Sequence, residues 1–229
     1  MDLKEAYDLL NFWINKEQGA FYRPEQLDLL ADRGQMSFYN DLQPKYGLSD
    51  RVNTSLSPFI ATYTYTNSTS LGGVIQLPLF GDDEYIDFID ATPIIMDETN
   101  TVRVRPMDFP NDDERAYRAN SQIRPMSITD PFGEWIGKGK IQLWPKVPQA
   151  GVVKYFRRPK KPFYSYTLVS GRVIVYDPNT STQLECLERD QNIVMILALQ
   201  SIGINISEAD IQQFAETKNQ QTITSPIKI

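Results

Sequence analysis

The chain has 229 residues, 41% of them hydrophobic and 23% charged, which is typical of a folded protein with a substantial core. It contains no histidine and a single cysteine, Cys186. These counts exclude Ser-His-Asp and Cys-His catalysis, histidine-ligated zinc or haem, disulfide frameworks and CxxC redox motifs. The net charge of −6 argues against a chain that neutralises nucleic acid as a whole. The longest apolar run, residues 193–199, is far shorter than the ~20 residues of a membrane span, so no membrane partner is expected.

The first 50 residues have the pattern of two amphipathic helices. Apolar residues within 3–14 follow the i, i+3, i+4, i+7 spacing of one helix face, and Gly19 is expected to end this helix. Pro24 is expected at the first position of the second helix, and Gly34 is expected to weaken that helix in its middle. The N-terminus begins with this charged amphipathic pattern rather than with a secretion signal, so we expect the protein to be made and kept in a cytosol.

From about Asn53 the pattern changes to that of strands. Residues 61–66, Ala-Thr-Tyr-Thr-Tyr-Thr, alternate with the period of two that is typical of a strand. A short helix is predicted at 111–119, with Asn111 as its N-cap and acids in its first turn. Residues 137–140 lack the spacing of a phosphate loop and are predicted to form a turn. The other predicted strands are residues 74–79, 85–96, 101–105, 141–143, 152–156 and 173–176.

Helices return near the C-terminus. Residues 190–202 are predicted to form an apolar helix that Gly203 ends. Ser207 is predicted to cap a further helix with its apolar stripe at Ile211, Phe214 and Ala215, and the residues after it are polar and aperiodic.

Helices at both ends with strands between them predict an α+β fold. We expect the N- and C-terminal helices to form one bundle into which an antiparallel β-rich lobe is inserted. The predicted domains are a helical bundle of residues 1–50 plus 183–217, a β-rich insertion of residues 51–182 and an extended C-terminal arm of residues 218–229.

Charge is unevenly distributed along the chain. The acidic stretch (residues 82–100) holds seven acids and no base, whereas the basic stretch (residues 138–172) holds nine bases and no acid. These are either solvated strand faces and loop tips, or the two edges of a protein that joins head to tail with copies of itself. Such a heterologous contact closes into rings. The predicted interface residues are Asp82, Asp83, Glu84, Asp87, Arg157, Arg158, Lys160 and Lys161.

The basic segment (residues 157–162, Arg-Arg-Pro-Lys-Lys-Pro) precedes a run of aromatic residues. Its prolines are expected to keep it extended and out of the interior of a sheet. Bases beside aromatics can bind phosphates and bases of nucleic acid, or an acidic protein surface, or merely protect a sheet edge. The acidic chain as a whole favours a protein partner. Reversing the four charges is predicted to abolish ring assembly and to leave the fold intact.

The best candidate for catalysis is the cluster at residues 81–90, because a chain without histidine would depend on carboxylates, Lys, Tyr or Ser. Paired carboxylates can hydrolyse a glycosidic bond, but Asp87 and Asp90 point to opposite faces of a regular strand. The same oxygens suit calcium or magnesium, yet the spacing and central glycine of an EF-hand are missing. Cys186 is expected to be buried and inert. We therefore expect no catalytic, cofactor-binding or metal-binding residue, no cofactor and no enzymatic activity.

Four segments of the chain match a known pattern. They are Tyr155-Phe-Arg-Arg-Pro-Lys-Lys-Pro-Phe163, Val175-Tyr-Asp-Pro178, Leu184-Glu185 and Ile202-Gly-Ile-Asn205. In this order they resemble the ring-forming head-to-tail adaptor proteins of podovirus-like tailed bacteriophages, including the crAss-like group. The resemblance covers residues 150–217, with a looser one over 1–50, and the layout of a helical bundle carrying a β lobe is similar.

The resemblance implies a subunit of the phage connector. Such adaptors form a ring, usually of about twelve copies, beneath the portal and above the tail, around the channel through which DNA leaves. The implied partners are other copies of the chain, the portal protein, the next tail or ring protein, and DNA that passes without specific binding. The implied location is the connector or tail of the virion, assembled in the cytoplasm of a host bacterium. The family has no catalytic motif to carry over.

Three alternatives remain open at this point. The first is another tail component, such as a tail hub or a tail-tube ring. The second is a carboxylate-based hydrolase associated with the tail, for which substitution of Asp87 or Asp90 would abolish turnover. The third is a nucleic-acid-binding module, which salt-dependent retention of DNA would reveal.

Overall fold

The computed structural model of the protein describes residues 2–67, 70–96, 102–104, 106–121, 127, 130–147, 149–169 and 173–204. Helices and antiparallel strands both contribute, which confirms the predicted α+β class. The chain separates into two compact units. The terminal unit comprises Met1–Pro58 and the chain from Pro159 onward, and the central unit is Phe59–Arg158. The helix predicted after Ser207 and the arm predicted at 218–229 lie outside the described residues.

The described residues contain five α-helices and nine β-strands. In chain order they are α1 (Leu3–Gln18), α2 (Pro24–Leu42), α3 (Asp50–Leu56), β1 (Ile60–Tyr65), β2 (Val74–Gln76), β3 (Tyr85–Met96), β4 (Val102–Val104), α4 (Asp112–Asn120), β5 (Phe132–Gly137), β6 (Lys140–Trp144), β7 (Ala150–Arg157), β8 (Tyr166–Val169), β9 (Val173–Tyr176) and α5 (Gln191–Gln200).

The helix ends follow from local sequence. Asp2 and Glu5 form a reciprocal capping box at the start of α1, and Gly19 ends the helix with a φ of 63°. Pro24 occupies the first turn of α2, where its missing N–H costs nothing. Asn111 caps α4 by accepting a hydrogen bond from the backbone of Glu114. The predicted boundaries at Gly19, Pro24 and Asn111 are confirmed.

α2 runs unbroken through Gly34, which is the residue at which α2 approaches α5. A Cβ built on Gly34 would overlap the carbonyl oxygen of Val194 and would lie 2.8 Å from the Cβ of Ala198. Both Val194 and Ala198 are buried in the core of the terminal unit. The absent side chain therefore allows the two helix backbones to pack closely.

The strands of the central unit form two antiparallel sheets, one with the order β1-β7-β3-β4 and one with the order β2-β6-β5. One face of the larger sheet is the core face, where Tyr65, Tyr85, Ala91, Val153 and Tyr155 pack with Ile75, Leu77, Ile141 and Leu143. Residues 138–139 form the turn between β5 and β6, as predicted. The terminal unit contains the third antiparallel pair, β8 with β9.

Three elements were not predicted: α3, β5 and β8. Ser49 caps α3 by accepting a hydrogen bond from the backbone of Val52. The Ser, Thr and Asn residues that follow favour turns over helix when they are considered alone, which hid this short helix in the sequence.

Candidate interaction site

The acidic and basic residues predicted at an interface lie beside one another in the central unit. Antiparallel pairing places Tyr85, at the start of β3, opposite Arg157, at the end of β7. The Oδ1 atom of Asp83 is 3.6 Å from Nε of Arg157, and Oε2 of Glu84 is 3.9 Å from Nη1 of Arg158. The expectation of one acidic edge and one separate basic edge is therefore wrong for these four residues, because strand pairing joins the two stretches.

These ion pairs differ in how much water surrounds them. The side chain of Arg157 is 12% exposed, whereas Asp83 is 63% exposed and Arg158 44% exposed. Nζ of Lys138, from the β5–β6 turn, lies 3.8 Å from Oε1 of Glu84. Exposed pairs of this kind each contribute about 0–1 kcal/mol. Arg157 is thus part of the folded unit, while Lys138, Arg158 and Asp83 present charge to solvent.

Asp87 and Asp90 share one face of β3, contrary to the expectation from regular alternation. Asp87 lies opposite Phe156 and Asp90 lies opposite Lys154, two positions that share a face of β7. The register shifts once between Phe88 and Asp90, and a bulge of this kind reverses the alternation after it. The carboxylate of Asp87 accepts a hydrogen bond from the backbone N–H of Phe88 (2.9 Å), and Asp90 accepts one from the hydroxyl of Thr92 (3.4 Å).

The Phe80 loop (residues 77–84) connects β2 to β3 and is held at both ends. The N–H of Leu77 donates to the carbonyl of Gly139 (2.8 Å), and the N–H of Tyr85 donates to the carbonyl of Pro78 (2.8 Å). The hydroxyl of Tyr155 donates to the carbonyl of Asp83 (3.1 Å). At its tip the side chain of Phe80 is 88% exposed. The loop is therefore well anchored and presents an aromatic ring to solvent, which sequence analysis had missed.

The second half of the basic segment is anchored in the terminal unit through its backbone. The buried amide of Gln35 donates to the carbonyl of Lys160 (2.8 Å) and accepts from the N–H of Glu185 (2.9 Å). The N–H of Lys160 in turn donates to the carboxylate of Glu185 (2.8 Å). Residues 158–162 form no strand or helix, as the prolines predicted. Lys161 is exposed, and the ring of Phe163 next to the segment is 53% exposed.

A tyrosine cluster joins α1, α2 and β9 in the terminal unit. Tyr164 stacks on Tyr7 with ring centroids 5.3 Å apart and packs on Tyr176 at 4.7 Å. Asp28 accepts hydrogen bonds from the hydroxyl of Tyr7 (2.5 Å) and from the N–H of Tyr164 (2.9 Å). Burial raises the pKa of Asp28, and burial together with the bond to Asp28 raises the pKa of Tyr7. These ring contacts and the two hydrogen bonds to Asp28 hold α1, α2 and β9 together.

Cys186 is buried, as predicted, with 6% of its surface exposed. Burial, aided by the negative charge of Asp190, raises the pKa of its thiol to about 12. The thiol therefore stays protonated at neutral pH, and a protonated thiol is a poor nucleophile and metal ligand.

Two other kinds of feature are absent from the described part of the chain. No group of three or more Cys, Asp or Glu side chains in it is arranged to hold a metal ion. None of its helices combines the length and apolarity needed to cross a bilayer. In comparisons with known proteins, no family model and no curated protein matches the chain.

Proposed function

We propose that the protein is a structural component of a tailed bacteriophage virion, a head-to-tail adaptor that forms a ring between the portal and the tail. It works by assembly and performs no catalysis. The proposal rests first on the sequence resemblance in residues 155–163, 175–178 and 184–185. In this proposal the helices of the terminal unit are the bundle, the central unit is the inserted β lobe, and residues 218–229 are an extended arm.

One structural observation supports the proposal most directly: two of the segments that carry the resemblance are hydrogen-bonded to each other. The N–H of Lys160, in the first segment, donates to the side chain of Glu185, in the third (2.8 Å). These residues are distant in sequence and in contact within the terminal unit. Segments that match by chance need not lie in contact.

The proposed partners are other copies of the chain in a ring of about twelve, the portal protein and the next protein of the tail. The DNA in the channel would pass without specific binding, since a net charge of −6 repels phosphates. The proposed location is the connector or tail of the virion, assembled in the cytoplasm of a host bacterium.

Cross-linking of purified particles tests this placement. Lys138 and Lys161 are exposed and accessible to an amine-reactive reagent. We expect mass spectrometry to find cross-links from the chain to the portal protein and between copies of the chain, and none when the particles are denatured before cross-linking. Cross-links exclusively to fibres or to internal head proteins would contradict an adaptor.

A further inference from the structure

The side chain of Phe80 is exposed to solvent, although hydrogen bonds hold its loop in place. The N–H groups of Leu77 and Tyr85 and the carbonyl of Asp83 are all engaged, at 2.8, 2.8 and 3.1 Å. A segment that is already rigid loses little conformational entropy when it binds. Exposed aromatic side chains that become buried are the strongest anchors of protein interfaces. The Phe80 loop is therefore a preorganised binding element with an aromatic residue at its tip.

The charged residues near Phe80 indicate which kind of surface the loop binds. Asp82 and Asp83 lie two and three residues after Phe80, and both are exposed, although Asp83 also lies 3.6 Å from Arg157. In the terminal unit, the chain offers the opposite arrangement, an exposed base, Lys161, two residues before the half-exposed ring of Phe163.

The segment at Lys161–Phe163 is also fixed in place. Phe163 exchanges two backbone hydrogen bonds with Thr182 (3.0 and 2.9 Å), and Lys160 is bound to Gln35 and Glu185 through its backbone. Two fixed segments that each expose an aromatic ring near a charged residue of opposite sign favour association with each other over other surfaces.

We propose that the Phe80 loop of one copy binds the Lys161–Phe163 segment of a second copy, with the two rings in contact and Asp82 and Asp83 facing Lys161. The two surfaces are different parts of the chain, so the contact is heterologous and repeats from copy to copy, as a ring requires. This inference rests on the proposed function and names the residues of its subunit contact.

Two single substitutions, Phe80→Ser and Phe163→Ser, test each side of the contact. Each is expected to weaken self-association of the full chain at least about 30-fold, measured by sedimentation velocity over a concentration series. Matched controls are Tyr117→Ser in the central unit and Phe21→Ser in the terminal unit, whose side chains are 70% and 74% exposed. The controls should associate like the parent chain. Urea denaturation of all four variants should confirm an unchanged fold.

Mixing the two variants distinguishes a heterologous contact from a symmetric one. The Phe80→Ser chain keeps an intact Lys161–Phe163 segment, and the Phe163→Ser chain keeps an intact Phe80 loop. In an equal mixture these two surfaces can form one contact, and the resulting dimer has no intact surface left for a further copy. We expect a 1:1 dimer in the mixture, no larger species, and monomers of each variant alone.

Three results would overturn the proposed contact: a parent chain that stays monomeric at the highest concentration, assembly of the Phe163→Ser chain alone, or a mixture without dimers. Rings formed by a chain that carries both substitutions would contradict the proposed contact but would be consistent with the adaptor function. Absence of the chain from virions would contradict the adaptor function. Dimers in the mixture of the two variants would establish the contact even in that case.

Discussion

Tyr65 and Gly151 face each other across β1 and β7, and their fit shows how single residues shape the central unit. A Cβ on Gly151 would overlap the hydroxyl and ring of Tyr65, so the glycine provides the space that the ring fills. The Tyr65 side chain is 1% exposed, and its hydroxyl has no hydrogen-bond partner among the described residues. A polar group buried in this way costs free energy that the ring packing must offset.

Tyr65→Phe is therefore predicted to raise the free energy of unfolding by about 1 kcal/mol, because it removes an unpaired hydroxyl and keeps the ring. The matched control is Tyr155→Phe, which removes a hydroxyl that donates to the carbonyl of Asp83 and should lower stability by about 1 kcal/mol. Urea denaturation measures both changes. A Tyr65→Phe variant less stable than Tyr155→Phe would show that the Tyr65 hydroxyl is satisfied.

Titration of single residues predicts how stability depends on pH. Without histidine, no ordinary side chain titrates between about pH 6 and 8, so stability should be flat there. Burial raises the pKa of Cys186 and of Tyr85, each to about 12, above their ordinary values of 9.0 and 10.0. The unfolded chain then loses these protons at lower pH than the folded chain, so the free energy of unfolding falls as pH rises from about 9 towards 12.

Denaturant titrations at several pH values check this behaviour. Cys186→Ala should reduce the decline that begins near pH 9, because it removes one of the groups responsible. A transition between pH 6 and 8, or stability that increases above pH 9, would contradict the assigned causes.

At the scale of elements, the packing of α2 on α5 predicts the sign of a stability change, which distinguishes helix propensity from steric overlap. Helix propensity alone makes Gly34→Ala stabilising by about 1 kcal/mol. The added Cβ would instead meet Val194 and Ala198 of α5, so we predict destabilisation by about 1–3 kcal/mol. Asn40→Ala, at an exposed position of the same helix, should change stability by less than about 0.5 kcal/mol. Thermal or urea unfolding measures the stability of both variants. A Gly34→Ala chain that is more stable than the parent chain would mean that α2 and α5 move apart easily.

The two halves of the basic segment are predicted to respond differently to charge reversal. Arg157→Glu should lower the stability of the fold by about 1–3 kcal/mol, since Arg157 is 12% exposed and lies 3.6 Å from Asp83. Lys161→Glu, at an exposed position, should leave stability within about 0.5 kcal/mol of the parent chain. Reversing all four charges together therefore mixes an effect on the fold with an effect on assembly. Equal stability of the two single variants, measured by urea denaturation, would contradict this division.

The elements that the sequence predicts well are those with local signals. α1 and α2 have caps, a glycine or proline at an end and a clear apolar period, and β3 was predicted with the same bounds that it has. What local patterns could not predict depends on partners distant in sequence. The bulge that places Asp87 and Asp90 on one face depends on pairing with β7, and the need for Gly34 depends on α5.

For the same reason, the sequence alone could not place the charged residues of the candidate interface relative to one another. Composition identified the charged residues, but strand pairing determines that Arg157 meets Asp83 within the central unit. Phe80 was missed because an isolated apolar residue in a loop carries no periodic signal, and its exposure is known only from the fold.

At the scale of the whole molecule, we propose that this protein of two units acts by joining copies of itself between other virion proteins. The proposal of a ring follows from the resemblance, and the pairing of the Phe80 loop with the Lys161–Phe163 segment gives that ring a specific contact. Both depend on the chain being a stoichiometric part of the particle.

The most direct measurement of this claim is the copy number of the chain in purified virions. Quantitative mass spectrometry with isotope-labelled peptides would compare it with the major capsid protein and the portal protein. The account predicts about a dozen copies per particle, equal to or a small multiple of the portal count. Absence from virions would contradict the adaptor function and would return attention to the carboxylates of Asp87 and Asp90.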